Sequence, residues 1–85
     1  MRSEEYILEK IREMDKVDSF GTKKEIKELP NILKDDEELI YITSGFNDGN
    51  TWLIACTDKR ILFLDKGMIF GLKQKEIPLD KVHSI

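Results

Sequence analysis

Cys56 and His83 are the single cysteine and the single histidine of this 85-residue chain. A thiolate activated by an imidazole is the one nucleophilic chemistry they could support. Cys56 closes the apolar run Trp52-Leu53-Ile54-Ala55-Cys56, where a free cysteine behaves as a small core hydrophobe, so no catalytic role is assigned. One cysteine and one histidine also fall short of the roughly three or four ligands of a zinc site. The acidic run Asp35-Asp36-Glu37-Glu38 could hold a cation loosely, but such runs are ordinarily solvated, and it reads as a connector. Gly45, Gly49, Gly67 and Gly71 form neither a phosphate loop nor a dinucleotide fingerprint and read as turns. Asn47-Asp48-Gly49-Asn50 lacks the alternating ligands and closing glutamate of a calcium loop. The expectation is therefore a chain without catalytic residues, cofactor or metal, and not an enzyme.

What remains is binding. Trp52, Phe46 and Phe70 could stack on bases, but platforms of that kind carry basic neighbours, and none stands nearer to Trp52 than Lys59. The net charge is −3, with 8 basic and 12 acidic side chains in residues 1–44 and 6 and 5 in residues 45–85. Neither half is a basic patch, which argues against nucleic acid. Phe46, in the segment between two strands, is a candidate contact for a partner. Lys59, Arg60, Lys66, Lys73 and Lys75 are candidate contacts for an anionic surface, although Asp58, Asp65 and Glu76 alternate with them and blunt the field.

These residues must be positioned by a short helical lead-in and a sheet. From residue 3 to about residue 16, Ile7, Ile11 and Met14 recur at helical spacing beside Leu8, with Ser3 as N-cap and Glu4 and Glu5 in the first turn. Gly21 reads as a turn. Thr22 and Glu25 have the spacing of a capping box opening a second, shorter helix through Ile26 and Leu29. Pro30 disfavours the α conformation at Leu29, so that helix should stop or kink there; a further turn through Asn31, Ile32 and Leu33 can follow it. Residues 39–44 and 51–57 are rich in β-branched and aromatic side chains. Asp48-Gly49 between them predicts a tight antiparallel hairpin. Asp58-Lys59 makes a second short turn before a third strand over 60–65, and a fourth, more polar strand runs over 72–77 to Pro78. The second and third strands are apolar at odd and even positions alike, so both faces of the sheet require cover.

At this length the chain has room for one domain, 1–85, with a helical lead-in over 1–34 and an antiparallel β part over 39–85. No stretch of about 20 apolar residues could span a bilayer, and the charged opening does not resemble a secretory leader. With a lone cysteine that cannot pair internally, this points to a cytoplasmic protein.

The run Thr57-Asp58-Lys59-Arg60-Ile61-Leu62-Phe63-Leu64-Asp65-Lys66-Gly67, followed by Ile77-Pro78-Leu79-Asp80-Lys81-Val82-His83-Ser84-Ile85, resembles the bacterial pleckstrin-homology-like domains. The lead-in from Glu25 to Leu33 and an acid at Glu37 or Glu38 before the first strand are similar to that family's approach, and the likeness covers about residues 23–85. It implies an α+β fold in which two N-terminal helices precede an antiparallel sheet of about four strands, the first half of a seven-stranded barrel. About half of such a barrel would be missing, through a truncated gene product or through completion by another copy. Open strand edges favour the second. The resulting expectation is a non-catalytic interaction or scaffolding module that binds itself or another protein. The alternative is a peripheral module for anionic lipid headgroups, but the first hairpin segment, 45–50, has no basic residue with which to grip phosphates.

Overall fold

A computed structural model of the chain describes residues 1–14, 21–47, 49–67 and 71–81. Helix α1 spans Glu4–Glu13, and the Ser3 hydroxyl caps it by accepting the Tyr6 N–H at 3.1 Å. Met14 turns extended and ends it, short of the expected residue 16, which lies with 15 outside the described residues. Two single-turn helices follow, α2 over Lys23–Ile26 and α3 over Leu29–Ile32.

Two local expectations are corrected here. Pro30 does not force Leu29 out of the helix: Leu29 opens α3 with the proline in its first turn, where a missing N–H costs nothing. The Thr22–Glu25 capping box does not form, since the Thr22 side chain makes no cap bond and Glu25 points into the protein. There a Glu25 carboxylate oxygen accepts the Lys66 N–H at 2.7 Å, tying α2 to the sheet. A long-range acceptor was worth more than a local one because Lys66 N–H, at a strand end, needed a partner.

The sheet is a four-stranded antiparallel meander in the order β1 (Leu39–Asn47), β2 (Asn50–Thr57), β3 (Arg60–Lys66), β4 (Leu72–Pro78), followed by a 3-10 turn over Leu79–Lys81. β1 runs three residues beyond the expected 44, and Phe46 is paired with Thr51 inside the ladder, so only positions 48 and 49 separate the Asn47–Asn50 pair. Gly49 has φ +78°, the conformation such a two-residue turn demands; Asp48 lies outside the described residues. A register irregularity between Leu39 and Tyr41 leaves Ile40 exposed.

Side chains alternate across the sheet. Leu39, Ile42, Leu53, Ala55, Leu62 and Leu64 point to one face and are buried beneath Ile7 of α1, Leu29 of α3 and Leu33 just beyond it. Tyr6, Ile11, Met14 and Ile26 close the margin of this core, and the Tyr6 hydroxyl accepts the Leu39 N–H at 3.0 Å. The helices thus protect one face of the sheet from water, and the other face sets up the functional question.

Candidate functional site

On the second face, register places Thr43 beside Ile54, Tyr41 beside Cys56, Ile54 beside Phe63, Cys56 beside Ile61 and Phe63 beside Lys75. Tyr41, Trp52, Ile54, Cys56, Ile61 and Phe63 are all half-buried, and the described residues place no helix over them. Cys56 accordingly does not sit in the helix-covered core where its apolar strand suggested; it is half-buried on the second face, near the β2–β3 turn. His83 lies outside the described residues.

At one end this face dips into a hollow of about 330 Å³ lined by Gly45, Phe46, Trp52, Ile54, Phe63 and Lys75. Gly45 has a packing reason: a Cβ there would come within 2.9 Å of Ile54 Cδ1. The Lys75 ammonium stands over the Trp52 ring, 5.4 Å from its centroid. Trp52 Nε1 is shielded and has no acceptor among the described residues. Phe46, 76% exposed, forms the lip. The hollow offers apolar and aromatic surface with one cation, which suits packing contact and supplies no set of converging acids, bases or nucleophiles.

The basic candidates do not form one patch. Arg60 is buried, not presented to solvent, and its guanidinium clasps Glu37 with two bonds, Nε to one carboxylate oxygen at 2.8 Å and a terminal nitrogen to the other at 2.9 Å. Its remaining donors reach Glu76 at 2.9 Å and the Ile32 carbonyl at 3.1 Å. Lys66 bridges to Glu28 at 2.8 Å, and Lys59 lies 3.6 Å from Asp36. Lys59 stands at the β2–β3 turn, whereas Lys66 and Lys73 lie at the opposite end of the strands. Lys73 and Lys75 are the exposed pair, both on the uncovered face by register with Asp65 and Phe63.

Glu37 overturns the reading of residues 35–38 as a uniformly solvated connector: its side chain is wholly buried. Burial pushes its carboxyl up, but bonds from Arg60, the Lys34 N–H and the Thr57 hydroxyl together with the Arg60 charge outweigh that and hold it down at about 2. The Glu37 bonds raise Arg60 in turn. Thr57 donates to Glu37 at 2.7 Å while its oxygen accepts the N–H groups of Lys59 and Arg60 at 3.1 Å, which folds the β2–β3 turn. The Thr-Asp-Lys-Arg motif is therefore a structural device. Its threonine shapes a turn and its arginine ties the connector, the end of α3 and β4 into one cluster. The sequence signal for it was an arginine at a strand position followed by Leu62 and Leu64 on the same side, a pattern that requires a buried partner.

Among the described residues no group of three or more His, Cys, Asp or Glu side chains could hold a metal ion, and no helix is long and apolar enough to cross a membrane. Residues 33–85 match a family model described as bacterial PH domain. No curated protein and no solved structure matches the chain.

Proposed function

The chain belongs to the bacterial PH domain family, and we propose that it serves as a non-catalytic interaction module that binds through the uncovered face of its sheet, with a second copy of itself as partner. The observation that carries this reading is the second sheet face, where Trp52, Ile54, Ile61 and Phe63 present a contiguous apolar surface opposite a fully buried core. Contiguous apolar patches of this kind on small domains mark contact sites. On this reading the four strands are half of a barrel-like enclosure, the apolar face is its interior side, and the protein works in the cytoplasm, where the half-exposed Cys56 thiol stays reduced.

Light scattering across a concentration series tests the proposal, with vesicle co-sedimentation as the competing arm. A mass that rises from monomer to dimer, and no pelleting with phosphatidylserine-containing vesicles, is the expected result. Salt-sensitive pelleting that is lost in Lys73→Glu with Lys75→Glu, from a protein that stays monomeric, would replace it with anionic-headgroup binding. Those two lysines are the cations best placed for such binding, because Lys59, Arg60 and Lys66 are paired with carboxylates.

A further inference from the structure

The helices that cover the first face of the sheet leave a groove of about 310 Å³ between them. Leu8 and Ile11 line it from α1, Ile26 and Pro30 line it from α2 and α3, and the buried Ile7 borders it. All of these apolar groups are aliphatic, and Leu8 is 46% exposed. Lys23 and Lys27, one helical turn apart and both exposed, line the groove from the α2 side. Lys10, Lys59 and Lys66 each reach a carboxylate. The Lys23 and Lys27 ammoniums, by contrast, form no ion pair with any described residue, not even with Glu4 on the α1 border of the same groove. We propose that this groove binds one free fatty carboxylate of medium chain length, with its chain against Leu8, Ile11, Ile26 and Pro30 and its carboxylate between Lys23 and Lys27.

The lining sets the chemical class. Aliphatic walls reward methylene groups by the area removed from water and offer no ring for an aromatic ligand to stack on. Like charges four positions apart on a helix repel each other, and an anion seated between them turns that repulsion into two charge-assisted contacts. From Glu4 to Ile11 the helix rises about 10 Å, the span of an extended chain of about eight carbons. Charge also separates a single chain from a bilayer. Glu4, Glu5 and Glu9 are exposed carboxylates on α1, and an anionic membrane laid over the groove would be pressed against all three. One carboxylate held on the lysine side stays clear of them. The site lies on the helices and is independent of the self-association proposed for the sheet face.

Titration of the isotope-labelled full chain with hexanoate, octanoate and octanol, followed through its backbone amide shifts, tests the proposal. Octanoate should saturate with a Kd of about 0.1–1 mM and move the amides of Leu8, Ile11, Ile26 and Lys27. Hexanoate should bind roughly fourfold to tenfold more weakly, because two methylenes are lost, and octanol about tenfold more weakly, because it lacks the charge. Lys23→Gln with Lys27→Gln should leave the thermal melt unchanged and abolish the preference for octanoate over octanol. Leu8→Ser should weaken both ligands alike. Octanol binding as tightly as octanoate to the natural chain, shifts confined to the hollow around Trp52, or the absence of saturation overturns the proposal. Pelleting with phosphatidylserine-containing vesicles that the double lysine substitution abolishes would overturn it in favour of a bilayer at this groove.

Discussion

Glu37→Gln removes one charge from a buried pair and leaves the Arg60 guanidinium without its full counter-ion. Breaking such a pair is far more damaging than never having it, and a loss of about 3 kcal/mol is expected, measured as the urea-unfolding free energy. Arg60→Lys belongs to the same test. A single ammonium cannot reach both Glu37 oxygens, Glu76 and the Ile32 carbonyl, so about 1–3 kcal/mol should be lost even though charge is conserved. The pair also sets an acid limit. Glu37 is held at about 2 in the folded chain, below its ordinary 4.5, so the unfolded state binds more protons between those values. Its contribution is whole above pH 4.5 and drains away as pH falls toward 2, on the order of 3 kcal/mol in all. Urea midpoints taken at pH 6 and pH 3 should differ in the natural chain, and the difference should shrink in Glu37→Gln.

At the scale of elements, two of the contacts that hold the helical lead-in to the sheet converge on Lys66. Glu25 reaches across from α2 to the Lys66 N–H, and Glu28 bridges to the Lys66 ammonium. Glu25→Ala strands a backbone donor and opens a small void. A loss of about 1–3 kcal/mol is expected, with faster amide exchange concentrated in α2 and the end of β3. Ser3→Ala acts on α1 alone, removes the acceptor for the Tyr6 N–H, and should cost about 1 kcal/mol with exchange raised in the first turn. In the β1–β2 hairpin, Gly49→Ala places a side chain at φ +78° and should cost about 1 kcal/mol in the same assay, although open space surrounds the site.

For the molecule as a whole, the sole tryptophan reports on the face proposed for contact. If a second copy covers that face, Trp52 quenching by acrylamide should decline as protein concentration rises through the micromolar range, and Phe63→Thr should abolish the decline. Unchanged quenching across that range would contradict cover by a second copy. Phe46→Ser should leave unfolding within about 0.5 kcal/mol of the natural chain, since its ring is largely in water in the single copy. Any effect on dimer mass then isolates the lip of the hollow as a contact.

Much of this architecture was legible without coordinates because it rests on local patterns. The spacing of Ile7, Ile11 and Met14 predicted α1, and Ser3 its cap. The β-branched runs and Asp48-Gly49 predicted the first hairpin; apolar residues at successive positions of β2 and β3 called for cover on both faces, and the described residues supply it on one. Those signals act over a few residues, where backbone sterics and side-chain period dominate. What the tertiary structure alone decided was which partner each polar group found. Glu25 looked like half of a capping box and became an anchor for β3; Glu37 looked like one carboxylate among four and became the counter-ion of Arg60; Arg60 looked like surface charge and was buried. Sequence spacing cannot rank such contacts, because the competing partners lie 23 and 41 positions away and become available only after the sheet and helices have closed around them.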